Sequence, residues 1–92
     1  MEFEWDEEKS LSNFEKHAVP FDEAKTVFTD AVAVSFYDES HSKSEDRFIR
    51  IGRSLTLRIL VVVYCMRADS RIRIISARRA TAEERWGYEK KL

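Results

Sequence analysis

Two short runs of the chain hold the groups able to move protons and grip phosphate. One contains Lys9, Asn13, Lys16 and His17; the other places Arg78 beside Arg79, with Thr81, Glu84 and Tyr88 following. An imidazole exchanges its proton near neutral pH, which suits His17 to general acid or base work, and an ammonium such as Lys9 serves as a phosphate clamp or an alternative base. A guanidinium fork meets a phosphate through two parallel hydrogen bonds and stays charged at any working pH, which favours Arg78 and Arg79 as anion ligands. Phosphodiester cleavage by a neighbouring hydroxyl needs a base, an acid and fixed cations together. Each group also has a plainer reading. The lysine stripe is a solvated helix face, His17 answers the helix dipole, and Arg78 pairs with Glu83, Glu84 or acidic residues of the 38–46 loop. Tyr88, one turn beyond Glu84, either stacks on a base or packs its helix.

The elements must bring those runs together. Phe3 and Trp5 alternate with acidic residues as a short edge strand, and Asp6 caps a helix over residues 6–17 whose Leu11, Phe14 and Ala18 are expected in the core, opposite Lys9, Asn13, Lys16 and His17. Pro20 opens a second helix with the apolar stripe Phe21, Ala24, Val27 and Phe28, ending at Thr29 and Asp30. Residues 31–37 read as a strand and residues 38–44 as a polar loop. A strand ending at Gly52 and the apolar run 57–66, covered on both faces, come next, and 68–70 turn the chain into a strand whose alternation sends Arg78 and Arg79 to opposite faces. Thr81 and Glu84 form a capping box that starts the closing helix. Arg47 and Arg53 reach the Arg78 surface from the neighbouring strand, where they either add to its anion-binding charge or guard a sheet edge. The expected architecture is α+β: a small antiparallel sheet with two N-terminal helices and a C-terminal helix, one domain over residues 1–92.

Composition narrows the function. The chain has 92 residues, 43% of them hydrophobic, enough for a single small core. A formal net charge of -1 gives no overall basic excess of the kind nucleic-acid binders show, yet residues 47–79 carry nine arginines against Asp69 alone, a local anion surface on a nearly neutral protein. The lone Cys65, inside the apolar run, reads as a small buried hydrophobe and permits no internal disulfide. That run is too short to span a membrane and the acidic N-terminus does not resemble a signal peptide, so a cytoplasmic protein with no membrane contact is expected. His17 and His41 lie far apart in sequence and the acidic loop lacks the glycine of a calcium loop, so neither a metal nor another cofactor is expected.

Two blocks carry a family resemblance. Asp6, Lys9, Asn13, Lys16, His17, Val19, Phe21, Ala24, Phe28 and Asp30 at their spacings resemble the opening signature of the BrnT toxins of bacterial type II toxin-antitoxin pairs. The run from Ile74 to Thr81, with Glu84, Arg85 and Tyr88, resembles the closing one, and Arg47 and Gly52 fall where that family places them. The resemblance implies a RelE-like fold and an endoribonuclease that stops translation, with RNA as substrate. It also implies neutralisation by a BrnA-like ribbon-helix-helix antitoxin, through which alone operator DNA is touched, and leaves room for a dimer in that complex. His17, Lys9, Arg78, Arg79 and Tyr88 become the candidate catalytic residues, and Asn13, Arg47 and Arg53 the candidate RNA contacts. The alternative function is a catalytically inactive partner that binds the antitoxin and tunes its DNA binding. One residue departs from the pattern: Ala18 stands where the family usually has glycine, and a left-handed cap there would cost alanine about 1 kcal/mol.

Overall fold

The computed structural model describes residues 1–90. Its elements are β1 (Glu2–Glu4), α1 (Glu7–His17), the single-turn α2 (Phe21–Ala24) continued as a 3-10 turn over Lys25–Thr29, β2 (Val34–Tyr37), β3 (Arg47–Arg53), β4 (Ile59–Arg67), β5 (Arg71–Arg79) and α3 (Ala82–Lys90). The strands form one sheet in the order β1-β5-β4-β3-β2. The expected meander from β2 to β5 is antiparallel throughout, with a bulge where Val63 gives way to Tyr64.

Two expectations need correction. The sheet is mixed, because β1 runs parallel to β5 with Glu2 opposite Arg71 and Glu4 opposite Arg73. Alternation in a three-residue strand reveals which side chains share a face but not the strand's direction. Charge supports the register: the Glu4 carboxylate meets Arg73 at 2.8 Å and Arg71 at 3.0 Å. The second helix is also shorter than its apolar stripe suggested, since only one α-helical turn forms before the chain tightens. Thr26 and Thr29 hydroxyls bond back to the carbonyls of Glu23 and Thr26, a local competition that shortens helices.

The core lies between the helices and one sheet face. Val19, Phe21, Ala24 and Val27 pack against Leu60, Val62, Tyr64, Ile72, Ile74 and Ala77, with Phe3, Trp5, Phe28 and Phe48 at the margin. Edge-to-face aromatic pairs link Phe3, Phe28 and Tyr64 across it. Cys65 is buried, and burial pushes its thiol above the usual range, as befits an inert core residue.

Helix α1 sits on the sheet the other way round from the expectation. Leu11 and Phe14 are 67% and 51% exposed, whereas Asn13 is 7% exposed. The reason is the sheet edge. Short β1 pairs only with the start of β5, so the edge backbone at Ala77 would otherwise lack partners; the Asn13 side chain accepts from the Ala77 amide at 3.1 Å and donates to its carbonyl at 2.8 Å. One buried amide thus takes the place of a missing strand. Among the described residues no helix is long and apolar enough to cross a membrane.

Candidate active site

The sheet face turned away from the core carries the cationic groups. Its strands place Ile49 of β3, Val61 and Val63 of β4, and Ile75 and Ser76 of β5 as the floor of a cleft of about 360 Å³, walled by Arg47, Arg78, Asp38, Ser40 and His41. Ile75 and Ser76 also border a shallower cleft of about 210 Å³ shaped by Lys9, Ser12, Asn13, Lys16 and His17. The two hollows therefore share a rim, and the α1 stripe faces the same surface as Arg47 and Arg78. Two blocks far apart in sequence meet here because α1 docks along the exposed part of β5.

Arg78 is braced. Its two terminal nitrogens donate to the Glu84 carboxylate oxygens at 2.8 and 2.9 Å, a bidentate pair that fixes the guanidinium at the cleft wall. Glu84 also closes the expected capping box: its carboxylate accepts from the Thr81 amide at 2.8 Å, and its own amide donates to the Thr81 hydroxyl at 3.1 Å. The Arg78 guanidinium holds the Glu84 carboxyl down to about 2, and the same contact raises Arg78 further. The start of α3 thus positions a fixed cation. Arg47 lies with its Nε buried and without a hydrogen bond, 3.9 Å from the Glu45 carboxylate.

Arg79 points the opposite way, as strand alternation requires. With Arg53, Arg58 and Arg85 it lines a separate polar hollow of about 220 Å³ that also contains Glu89. Arg58 there is neutralised by Glu23, whose carboxyl it holds down to about 2 with help from the Thr56 and Ser54 hydroxyls. Arg53 lies over the Tyr88 ring, 6.0 Å from its centroid.

The structure does not bring all the sequence candidates together. His17 and Lys9 stand exposed on the α1 rim, with Ala18 closing the helix in the left-handed conformation at φ 57°. Asn13 has its amide occupied by the backbone of Ala77 and Val19, so it positions α1 and has little left to offer RNA. Tyr88 is 3% exposed and its phenol donates to Asp30; burial and that carboxylate push the phenol up to about 12. It anchors α3 to the end of β3, outside both hollows of the open face. Asp38 and His41 also wall this cleft, although residues 38–44 show no periodicity that would single them out. The Asp-x-x-His spacing of Asp38 and His41 was the available signal. Among the described residues, no three His, Cys, Asp or Glu side chains converge as a metal ion would require.

A family sequence description, "Ribonuclease toxin, BrnT, of type II toxin-antitoxin system", matches residues 5–84. The chain belongs to the BrnT family. Among solved structures, the Brucella abortus ribonuclease toxin BrnT, known from a crystal structure at 1.1 Å resolution, is similar at 28% identity and a TM-score of 0.68, over 88% of this chain and 97% of that one. Among curated protein sequences no match is found. BrnT membership brings with it an antitoxin partner and an RNA target, and the matched span takes in both runs from which the open-face site is built.

Proposed function

We propose that this BrnT-family chain is an endoribonuclease that cleaves RNA by metal-independent acid-base chemistry in the cytoplasm and so inhibits translation, with a mechanism of the RelE-like kind. The observation that carries the reading is the shared rim of the two hollows, which gathers Arg47, Arg78, Lys9 and His17 on one open sheet face. Arg47 and Arg78 hold the scissile phosphate and stabilise the charge that grows on it, Lys9 steadies a neighbouring phosphate, and His17 gives a proton to the leaving 5′-oxygen. Arg53 and Arg79, on the separate hollow, bind RNA backbone away from the reacting bond or meet the antitoxin. A BrnA-like ribbon-helix-helix partner would silence the toxin most directly by covering the open face.

Purified protein incubated with mixed RNA in excess chelator tests this. Full cleavage in chelator is expected, and His17→Ala should lower it by roughly 10²-fold or more. Activity that emerges only with added magnesium would overturn metal independence. A catalytically idle co-repressor is the competing function; it would leave growth unaffected when expressed without its antitoxin, whereas a ribonuclease arrests it.

A further inference from the structure

We infer that His41, held by Asp38, is the general base of the ribonuclease site; the inference rests on the ribonuclease reading above. The loop between β2 and β3 is built around this pair. Its ends are joined by backbone, with the Asp38 amide donating to the Arg47 carbonyl at 2.8 Å. The Ser42 hydroxyl donates to the Asp38 carbonyl and accepts from the Arg47 amide at 3.0 Å, so the loop is closed without His41. His41 adds a different contact: its Nδ1 lies 3.2 and 3.3 Å from the two oxygens of the Asp38 carboxylate, and the Ser40 hydroxyl donates to the same carboxylate at 3.1 Å. Burial opposes ionisation of Asp38, but the hydrogen bonds from His41 and Ser40 outweigh it and hold its carboxyl below the usual range.

An anionic Asp38 accepts from Nδ1, so in the neutral ring the proton sits on Nδ1 and the lone pair on Nε2. Among the described residues Nε2 has no hydrogen-bond partner, and the ring forms the wall of the cleft that Arg47 and Arg78 also line. A carboxylate that fixes an imidazole's tautomer, beside two guanidinium groups able to hold a phosphate, is the arrangement a proton-abstracting base needs. In the step assigned here, Nε2 takes the proton of the ribose 2′-hydroxyl and the 2′-oxygen forms a bond to phosphorus. The bond from phosphorus to the 5′-oxygen breaks, and that oxygen leaves with the bonding pair and takes its proton from His17. The products are a 2′,3′-cyclic phosphate and a 5′-hydroxyl; His41 later loses its proton to water. Asp38 acts through His41 and is a positioning residue.

The test uses the full chain on a defined RNA oligonucleotide, with wild type measured in parallel. In His41→Asn the amide keeps a donor near the Nδ1 position and Nε2 is lost. The expected result is a fall in kcat of about 10²- to 10⁴-fold with KM and the thermal midpoint nearly unchanged. Free imidazole in the buffer should restore a measurable part of the activity of His41→Ala, which a merely structural histidine would not allow. Asp38→Ala should lower kcat more than it changes KM. If His41→Asn cleaves as fast as wild type, or if imidazole leaves folded His41→Ala as inactive as before, His41 is not the base and the ribonuclease reading stands without it. An inert wild type would instead overturn that reading and this inference together.

Discussion

At the scale of single residues, one carboxylate has two duties. Glu84 caps α3 through Thr81 and braces Arg78, so the capping box that sequence spacing reveals also aims a cation at the open face. Glu84→Ala should therefore cost about 1 kcal/mol of stability from the lost cap, and should also lower cleavage, because an unbraced Arg78 samples many rotamers. Arg78→Ala should cost similar stability, since Glu84 keeps its backbone partners, but should lower cleavage by about 10²- to 10³-fold through loss of a fixed cation at the phosphate. A double-mutant cycle measured by both thermal melts and kinetics checks this; additive kinetic losses would show that Glu84 does not act through Arg78. Asn13 makes the opposite point. Asn13→Leu keeps the volume but leaves the Ala77 amide and carbonyl without partners, and should destabilise the fold by about 2 to 3 kcal/mol in chemical denaturation.

Among elements, the end of α1 and the close approach at β3 show where backbone sets the cost. Ala18 holds φ 57° and donates its amide to the Phe14 carbonyl at 2.8 Å, so the cap forms despite the methyl group. Ala18→Gly should raise stability by about 1 kcal/mol, visible as a higher thermal midpoint, with the helix end and His17 unmoved. Gly52 is different, being required by space and not by an unusual φ: a Cβ there would stand 2.8 Å from that of Ala33. The Asp30 carboxylate that accepts from both the Arg53 amide and Tyr88 lies against the same spot, so this crossing ties β3 to α3.

For the molecule as a whole, the pattern of charge governs both acid tolerance and encounter with partners. Glu23 and Glu84 ionise at about 2 in the folded chain against an ordinary 4.5, held down chiefly by Arg58 and Arg78 respectively. The unfolded chain therefore binds protons first, and the stability these carboxylates supply is complete above about pH 4.5 and lost as pH falls toward 2. Denaturant midpoints measured across that window should decline with falling pH, and an Arg58→Met, Glu23→Leu double variant should flatten the decline. The exposed arginines Arg53, Arg79 and Arg85 share one hollow, an attractive field for an acidic antitoxin segment. Arg53→Glu or Arg79→Glu should slow antitoxin association and weaken its salt dependence in stopped-flow measurements; rates indifferent to both would place the docking surface elsewhere.

Local pattern placed most of the elements, though not the length of the second helix or the start of β2. The capping box at Thr81, the end of α1 near His17, the Pro20 start and the apolar run that became β4 are each decided by a few neighbouring residues, and each formed within a residue or two of its expected position, α1 ending in a left-handed cap at Ala18 despite the methyl group. The divergence of Arg78 and Arg79 followed from alternation in the same way. What tertiary structure alone decided were the relations with no local signal. A three-residue strand carries no code for direction, so parallel β1 emerged only with Glu4 set between Arg71 and Arg73. The apolar face of α1 looked like the buried one, but the unpaired edge of β5 demanded Asn13, and an unmet pair of backbone groups outweighed the transfer of Leu11 and Phe14 from water. The pairing of His41 with Asp38 lay in a loop without periodicity, and its place in one cleft with Arg78 required β3, β4 and β5 to lie side by side, bringing to a shared cleft residues 37 positions apart that no sequence spacing links.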